Sequence, residues 1–300
     1  MSPDRRKFIK AAALGVAAVS TATAAANQDS EASGESTSTL PWGKTRFAVN
    51  IEMWGLGGGP AQDRIRAAAK LGYPAVEFWP WRNKDLEQIR IACEETGIEV
   101  AQFTAWPFNP GMNDPKNHDR IGKEIAESIE AAKKIGAKKM TVIAGNDQPG
   151  MTQEQMHENV ITGLKKWAPM AEAAGVMLIL EPMNIRVDHK GHCLYGSPEA
   201  VRICREVGSP MVKINWDLYH MQITEGDLCR RMREGWDQVG YLQLADNPGR
   251  REPGTGEIDY SRVFKEAWDL GYRDYIGLEC SPTDGNAERA TERVKAADVW

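Results

Sequence analysis

The chain has 300 residues, of which 42% are hydrophobic and 26% are charged. This composition is typical of a globular protein and excludes a disordered or fibrous one, and the length suits one large domain or two small ones. The net charge of −5 lacks the basic excess that attracts nucleic acid or an anionic membrane, so we expect a small-molecule partner and no nucleic acid.

Residues 1–26 are predicted to form an export signal. Arg5 and Arg6 precede a modestly apolar, Ala-rich stretch that ends in small residues at 24–26, and this pattern resembles a twin-arginine signal. An amphipathic first helix is the alternative, but the stretch shows no polar face at helical spacing. We therefore expect the twin-arginine export machinery as a partner and an exported protein, periplasmic or otherwise extracytoplasmic. No apolar run approaches the roughly 20 residues that span a bilayer, so no membrane association is expected after processing.

The rest of the chain divides into a linker and a folded domain. Residues 27–42 are polar, acidic and Ser-rich, which predicts a flexible linker, and the domain is predicted over residues 43–300. The cysteines are scattered without a CxxC spacing, which predicts reduced thiols, mostly in the core. They are Cys93, Cys193, Cys204, Cys229 and Cys280.

One unit recurs through the domain: a charged segment with helical periodicity ends in glycine, and an apolar, β-branched run follows. The glycines are Gly72, Gly97, Gly136, Gly175, Gly208, Gly235 and Gly271. Glycine suits this position because helices often end in a left-handed residue. Together with 46–51, the runs make eight strands, namely 75–79, 98–104, 139–144, 176–181, 212–217, 239–245 and 275–279. Strict alternation over about 250 residues predicts an α/β fold of the (β/α)8 TIM-barrel type.

A doubly wound open sheet is the alternative fold. The glycines of the segment 54–60 (WGLGGGP) lie roughly where such a sheet would bind a dinucleotide. However, the segment ends in proline and no acidic residue closes the next strand in the expected manner. Helix signals fit the barrel: an apolar stripe runs from Ile121 to Ile129, Thr152 with Gln155 has capping-box spacing, and Asp259 is placed to cap a helix.

Polar side chains close or interrupt the last four predicted strands. Glu181, Asp217 and Glu279 each follow an apolar run, and Gln243 lies inside one. Because barrel active sites lie at the carboxyl ends of the strands, these groups are expected to converge, and buried carboxylates require compensation by a metal or by basic residues. An all-oxygen set suits Mg²⁺ or Mn²⁺. The alternative for each carboxylate is a cap on the helix that follows.

Four segments resemble the hydroxypyruvate isomerases, which belong to the xylose isomerase-like TIM barrels. These segments are 181–184 (EPMN), 215–222 (NWDLYHMQ), 243–258 (QLADNPGRREPGTGEI) and 277–279 (GLE). The resemblance covers residues 44–295, and its most specific part is 243–257. It implies that Glu181, Asp217, Gln243 and Glu279 are metal ligands and that Glu181 and Glu279 form the acid/base pair. It further implies that His220, Arg250 and Glu257 bind the substrate.

The implied reaction converts hydroxypyruvate to tartronate semialdehyde through an enediolate. A proton leaves the carbon beside the carbonyl and returns to the neighbouring carbon, which a carboxylate on either side can accomplish. A divalent metal would stabilise the developing oxyanion, and Arg250 could hold a substrate carboxylate in bidentate fashion. Surface ion pairing is the alternative for Arg250, and a structural role is the alternative for His220.

Two features separate the chain from this pattern. The loop after Glu181 carries His189, Lys190 and His192 and is more basic than expected, and hydroxypyruvate is a cytoplasmic metabolite that an exported enzyme would seldom meet. A ketose 3-epimerase or another sugar isomerase outside the cytoplasm is therefore an alternative, although ketose epimerases usually have histidine where this chain has Gln243. An endonuclease IV-like nuclease would need many histidines, of which the chain has five, and a non-catalytic sugar-binding barrel would not need both Glu181 and Glu279.

Each of two further sequence features has two possible roles. The aromatic residues Trp79, Trp81, Trp106 and Phe108 follow strands two and three and are expected either to wall the pocket or to serve packing and subunit contacts in a homo-oligomer. Residues 254–256 (GTG) could bind phosphate through N–H groups, but a tight turn is favoured because a capped helix follows.

Overall fold

The computed structural model describes residues 41–300, in which eight parallel strands close into a barrel in sequential order. The strands are β1 (Arg46–Asn50), β2 (Ala75–Phe78), β3 (Glu99–Trp106), β4 (Lys139–Ile143), β5 (Met177–Glu181), β6 (Val212–Asp217), β7 (Val239–Leu244) and β8 (Tyr275–Leu278). Closure comes from β8 pairing with β1, where Phe47 lies opposite Ile276. The TIM-barrel prediction is confirmed, and the open-sheet alternative is excluded because the sheet has no free edge.

Nine α-helices lie in the described residues and cover the barrel. They are α1 (Ala61–Lys70), α2 (Leu86–Thr96), α3 (His118–Ile135), α4 (Gln153–Ala174), α5 (Ser197–Val207), α6 (Leu218–Thr224), α7 (Leu228–Glu234), α8 (Tyr260–Asp269) and α9 (Ala287–Ala297). The stripe from Ile121 to Ile129 is buried against the sheet, as its spacing predicts. Thr152 and Gln155 form the predicted capping box, and the Asp259 carboxylate accepts a hydrogen bond from the N–H of Arg262.

The glycines at the helix ends adopt the left-handed conformation at six of the seven predicted positions. Gly235 is the exception, with φ −107°. A Cβ atom at Gly235 would lie 2.6 Å from Val201 Cγ2 and 2.7 Å from Trp216 Cζ3. Glycine is needed there because two core side chains approach the backbone, and not because of a left-handed turn.

The predicted signal and residues 27–40 of the predicted linker lie outside the described residues. Trp42, at the end of that linker, packs its ring 5.1 Å from the ring of Tyr73 and 6.0 Å from that of Phe47, so the folded domain includes this residue. None of the described helices combines the length and apolar character needed to cross a membrane. All five cysteines are free thiols, in agreement with their scattered spacing.

Candidate active site

A cavity of about 330 Å³ opens at the carboxyl ends of the strands. Its charged and histidine lining residues include Glu181, His220, Arg250 and Glu279. Its apolar lining residues are Trp79, Pro80, Pro107, Phe108, Ile143 and Met183. The barrel thus brings residues from β5 to β8 together with aromatic residues from the loops after β2 and β3.

The Asp217 carboxylate uses its two oxygens differently. Oδ1 accepts hydrogen bonds from the N–H groups of Tyr219 and His220, at 2.8 and 3.4 Å, and so caps α6. Oδ2 is buried and has no hydrogen-bond partner among residues 41–300. Asp217 is therefore a helix cap, as the alternative interpretation holds, and it also presents a free oxygen to the site.

Glu181, Asp217 and His220 form a buried group in which one ligand-type atom from each lies within 4.8 Å of the others. His220 Nε2 lies 3.7 Å from Glu181 Oε1 and 3.6 Å from Asp217 Oδ2, and it makes no hydrogen bond within the described chain. Two adjacent buried polar atoms without partners are costly unless a further group binds between them. The two carboxylates of this group therefore fit a divalent cation, which prefers carboxylate oxygens.

Arg250 connects two of the predicted ligands. Its Nη2 donates to Glu279 Oε2 at 2.5 Å and lies 3.9 Å from Asp217 Oδ2. The other Glu279 oxygen accepts a hydrogen bond from Trp79 Nε1 at 2.6 Å. With Glu181, Asp217 and Glu279 ionised, one guanidinium leaves two negative charges uncompensated. That deficit matches a divalent cation, so basic residues and a metal can act together.

Burial dominates the electrostatics of the site. Burial raises the pKa of Glu181 well above its usual value of 4.5, and the neighbouring Glu279 and Asp217 raise it further while Arg250 opposes them. Burial also raises the pKa of Asp217, against the effects of Arg250 and the capping N–H groups. The pKa of His220 falls to about 3, chiefly through burial and also through Arg250, so its imidazole is neutral near pH 7.

Gln243 lies opposite Asp217 in the register of β6 and β7, and both ends of its side-chain amide make hydrogen bonds to other buried residues. Its Nε2 donates to Glu77 Oε1 at 2.8 Å, and its Oε1 accepts a hydrogen bond from Asn215 Nδ2 at 2.5 Å. Sequence reasoning missed Glu77, whose carboxylate is also bound by Asn50, Gln102 and Tyr241. Burial, with Glu279 nearby, raises the pKa of Glu77 from 4.5 to about 7. Glu77 therefore anchors a buried polar layer directly beneath the predicted ligands.

The loop that carries Arg250 is organised around Asp246. Its Oδ2 accepts hydrogen bonds from the N–H groups of Gly254, Thr255 and Gly256, and its Oδ1 from those of Asn247 and Ile258. The N–H groups of 254–256 thus bind an anion supplied by the protein, which agrees with the favoured turn interpretation.

Glu257 is placed differently from the other predicted substrate-binding residues. It is exposed and accepts hydrogen bonds from Gln222 Nε2 and Asn247 Nδ2. It is not among the residues that line the cavity, whereas His220 and Arg250 are. The structure thus gives the predicted role of Glu257 no support.

The four aromatic residues after β2 and β3 divide into two pairs. Trp79 and Phe108 line the cavity. Trp81 donates to Ser128 Oγ on α3, and Trp106 is buried and donates to the carbonyl of Pro110. Both interpretations of this cluster therefore hold, each for two residues.

Of the basic residues in the loop after β5, only His189 lines the cavity, where its ring stacks on Phe108 with centroids 4.9 Å apart. His192 Nδ1 lies 2.7 Å from the carbonyl of Leu194, and His118 and His157 likewise contact backbone carbonyls. Three of the five histidines are thus engaged by backbone carbonyls. The histidine-rich metal site of an endonuclease IV-like nuclease is therefore not formed by the described residues.

Known proteins share this architecture. Residues 65–297 match the family of xylose isomerase-like TIM barrels. The hydroxypyruvate isomerase of Escherichia coli is 32% identical over 243 residues, which are 79% of this chain and 93% of that protein. The 2-oxo-tetronate isomerase of Cupriavidus necator is 32% identical over 249 residues, 81% and 95% of the two chains.

Solved structures agree on the fold. An AP endonuclease of family 2 from Brucella melitensis superposes with a TM-score of 0.77 at 25% identity, covering 82% of this chain and 96% of that one. The 3-keto-D-glucoside 4-epimerase of Escherichia coli gives a TM-score of 0.72 at 21% identity, covering 84% and 98%, which shows the fold alone. The chain therefore belongs to the xylose isomerase-like TIM barrel family, and its homology to the hydroxypyruvate and 2-oxo-tetronate isomerases identifies it as an isomerase.

Proposed function

We propose that the protein is a divalent metal-dependent isomerase that shifts a carbonyl group between adjacent carbons of a small hydroxy-carbonyl compound, with hydroxypyruvate as the first candidate substrate. The observation that carries the proposal is the free Asp217 Oδ2 beside Glu181, at the edge of a cavity that also contains Glu279 and Arg250.

Glu181, Asp217, Gln243 and Glu279 would hold the cation, with Mg²⁺ or Mn²⁺ as the best match to oxygen donors. When bound, the cation stabilises negative charge on the substrate oxygens. The two uncompensated charges of the site support this assignment. An oxygen of Gln243 or Glu279 could bind the cation and still accept its present hydrogen bond, because carboxylate and amide oxygens each have a second lone pair.

Glu181 and Glu279 would transfer the proton. Both carboxylates line the same cavity, so a substrate between them can lose a C–H proton to one carboxylate and gain a proton on the adjacent carbon from a carboxylate, while the hydroxyl proton passes to the former carbonyl oxygen. Burial and the neighbouring acids raise the pKa of Glu181, which makes it a stronger base once it is ionised. Trp79 holds Glu279 in place through its N–H group.

Arg250 would bind a carboxylate on the substrate. Its guanidinium lines the cavity and has further N–H groups besides the one that contacts Glu279. We expect Arg250→Ala to raise KM chiefly for substrates with a carboxylate. Equal effects on neutral ketoses and on hydroxypyruvate would argue against this role.

A ketose 3-epimerase or related sugar isomerase is the second candidate, and the size of the cavity favours it. A volume of 330 Å³ corresponds to about eleven water molecules at ~30 Å³ each, while hydroxypyruvate has only seven non-hydrogen atoms. The aromatic rings of Trp79 and Phe108 in the cavity lining would suit the faces of a larger substrate. A panel of hydroxypyruvate, 2-oxo-tetronate and neutral ketoses therefore separates the two candidates.

The decisive variants are Glu181→Gln and Glu279→Gln, with Glu130→Gln on the exposed face of α3 as the matched control. We expect both site variants to lose at least ~100-fold in kcat while remaining folded, and the control to keep full activity. Turnover in D₂O should place solvent deuterium in the product, because the proton passes through a carboxylate. Full activity in either site variant would refute the acid/base assignment.

Export is a separate proposal that depends on Arg5 and Arg6. The twin-arginine machinery would deliver the folded, metal-loaded protein out of the cytoplasm. Fractionation of cells expressing the full chain should recover the protein outside the cytoplasm. The Arg5→Lys/Arg6→Lys double variant should remain inside, and equal export of both proteins would refute the assignment.

A further inference from the structure

Asn184 contacts the side of His220 that faces away from the acids. It follows Glu181 by three residues, and its Nδ2 lies 2.7 Å from His220 Nδ1. Both residues are buried. The opposite ring atom, Nε2, faces Glu181 and Asp217 and has no hydrogen-bond partner among the described residues.

The orientation of the Asn184 amide is determined by its other partners. Oδ1 accepts hydrogen bonds from the N–H groups of Val187 and Asp188, both at 3.0 Å. Nδ2 donates to Asp188 Oδ2 at 2.7 Å. An amide turned by 180° would set its NH₂ group against two N–H groups and its oxygen against a carboxylate. The NH₂ group must therefore face the imidazole.

This orientation fixes the state of the ring. Because an NH₂ group can only donate, His220 Nδ1 must be the acceptor and carries no hydrogen. A ring with a bare Nδ1 has its single hydrogen on Nε2, since the two nitrogens of a neutral imidazole differ in this way. The N–H group then points at Glu181 Oε1 and Asp217 Oδ2.

We propose that Asn184 is a positioning residue that holds His220 in the Nε2–H tautomer, so that His220 presents a hydrogen-bond donor to the cavity and not a metal-binding lone pair. A metal-bound imidazole needs a bare nitrogen toward the metal. The nearby Glu181 and Asp217 would thus hold a cation without His220, although all three residues lie within ligand distance of one another.

The N–H group has a second consequence, which rests on the proposed function. A donor at the cavity wall can bind the substrate oxygen on which negative charge develops, and losing one such donor costs roughly 100-fold in kcat. Asn184 would set the strength of this contact without touching the substrate.

Nitrogen-15 NMR of the full chain labelled at histidine tests the tautomer directly. The chain has five histidines, so a His220→Gln variant assigns the signals of His220. We expect a bare Nδ1 and a protonated Nε2, both before and after addition of saturating Mg²⁺. A protonated Nδ1 in the wild-type protein, or a metal-bound Nε2 with Mg²⁺, overturns the proposal.

Asn184→Asp tests the role of the asparagine, because a carboxylate accepts where the NH₂ group donates. We expect His220 Nδ1 to become protonated and kcat to fall about 100-fold with a smaller change in KM. Asn286→Asp is the matched control, because this side chain accepts a hydrogen bond from Arg289 N and caps α9 in either form. An unchanged Nδ1 signal in Asn184→Asp overturns the role of Asn184.

The two proposals fail in different ways. Absence of isomerase activity on every substrate of the panel would refute the proposed function and leave the tautomer result standing. A wild-type ring with hydrogen on Nδ1 would refute the tautomer and leave an active isomerase. The wild-type spectrum needs only the His220→Gln variant for its assignment, so the inference is decided even if Asn184→Asp does not fold.

Discussion

Gly277, on β8, packs against the buried polar layer around Glu77, which leaves no space for a side chain at this position. A Cβ atom there would lie 2.2 Å from Glu77 Oε2, 2.7 Å from Glu77 Cδ and 2.9 Å from Gln243 Cγ. Such separations do not occur between non-bonded atoms, so Gly277→Ala must displace Glu77. That carboxylate cannot move without losing hydrogen bonds, because Asn50, Gln102, Tyr241 and Gln243 hold it from three strands.

The cost has two parts. Overpacking a buried site by one methyl group destabilises the native state by about 1–3 kcal/mol. Loss of one hydrogen bond to a buried carboxylate adds about 1.5–3 kcal/mol. The free energy of unfolding of Gly277→Ala should therefore fall by about 3 kcal/mol or more. At roughly 2–4 °C for each kcal/mol, the melting temperature should fall by about 6–12 °C.

Thermal melts of the full chain at one scan rate measure this effect. The matched control is Gly58→Ala, because Gly58 is exposed and an added Cβ would contact nothing within 4 Å. This control should change stability by less than about 1 kcal/mol, in the stabilising direction. A melting temperature of Gly277→Ala equal to that of Gly58→Ala would refute the account of the polar layer.

Three further predictions concern the metal, the pH and the loop. Mg²⁺ at 100 times its Kd should stabilise the protein by about 2.7 kcal/mol, or roughly 5–10 °C, and Asp217→Asn should abolish this shift in melts with and without EDTA. Because burial raises the pKa of Glu77 from 4.5 to about 7, the native state binds more protons than the unfolded state between these values. Glu77 should therefore contribute a fall of about 3 kcal/mol in metal-free stability as the pH rises from 4.5 to 7. In denaturant titrations Glu77→Gln should remove this contribution and leave the part of the slope that comes from Glu181 and Asp217, whose pKa values are also raised. Asp246→Ala removes the acceptor of five N–H groups, so it should cost about 3 kcal/mol and expose residues 247–258 to limited proteolysis, whereas wild-type resistance to cleavage would contradict this role.

Much of the fold is local in origin and could therefore be predicted from the sequence. Helix ends need a left-handed residue, so glycine marks them, and the buried strands of a closed barrel are apolar on both faces. Those two signals placed each strand to within two residues. Gly235 shows the limit of this reasoning. Glycine is needed there because Trp216, on another element, lies too close to the backbone for a side chain to fit.

Site residues that end a strand could be predicted from the sequence. A site residue whose contacts form only when the barrel closes could not. Asp217 and Glu181 follow apolar runs, and the carboxyl ends of parallel strands must meet at one rim. Glu77 also interrupts an apolar run, as Gln243 does, so the same signal was present in β2. Its partners, however, come from three other strands, and only the closed barrel brings them together.

The loop after β7 also follows from contacts that the sequence does not reveal. Arg250 reaches Glu279 because the N–H groups of residues 247–258 fold around the Asp246 carboxylate. The same folding turns Glu257 outward to Gln222. Spacing along the chain alone cannot distinguish these two outcomes.

The central claim is that one divalent cation binds at the free oxygens of the site. Anomalous diffraction from crystals grown with Mn²⁺ tests it most directly. The account predicts a single strong peak bonded to oxygens of Glu181, Asp217, Gln243 and Glu279, with His220 Nε2 outside the coordination shell. A peak elsewhere at saturating Mn²⁺, or a peak bonded to His220 Nε2, would contradict it.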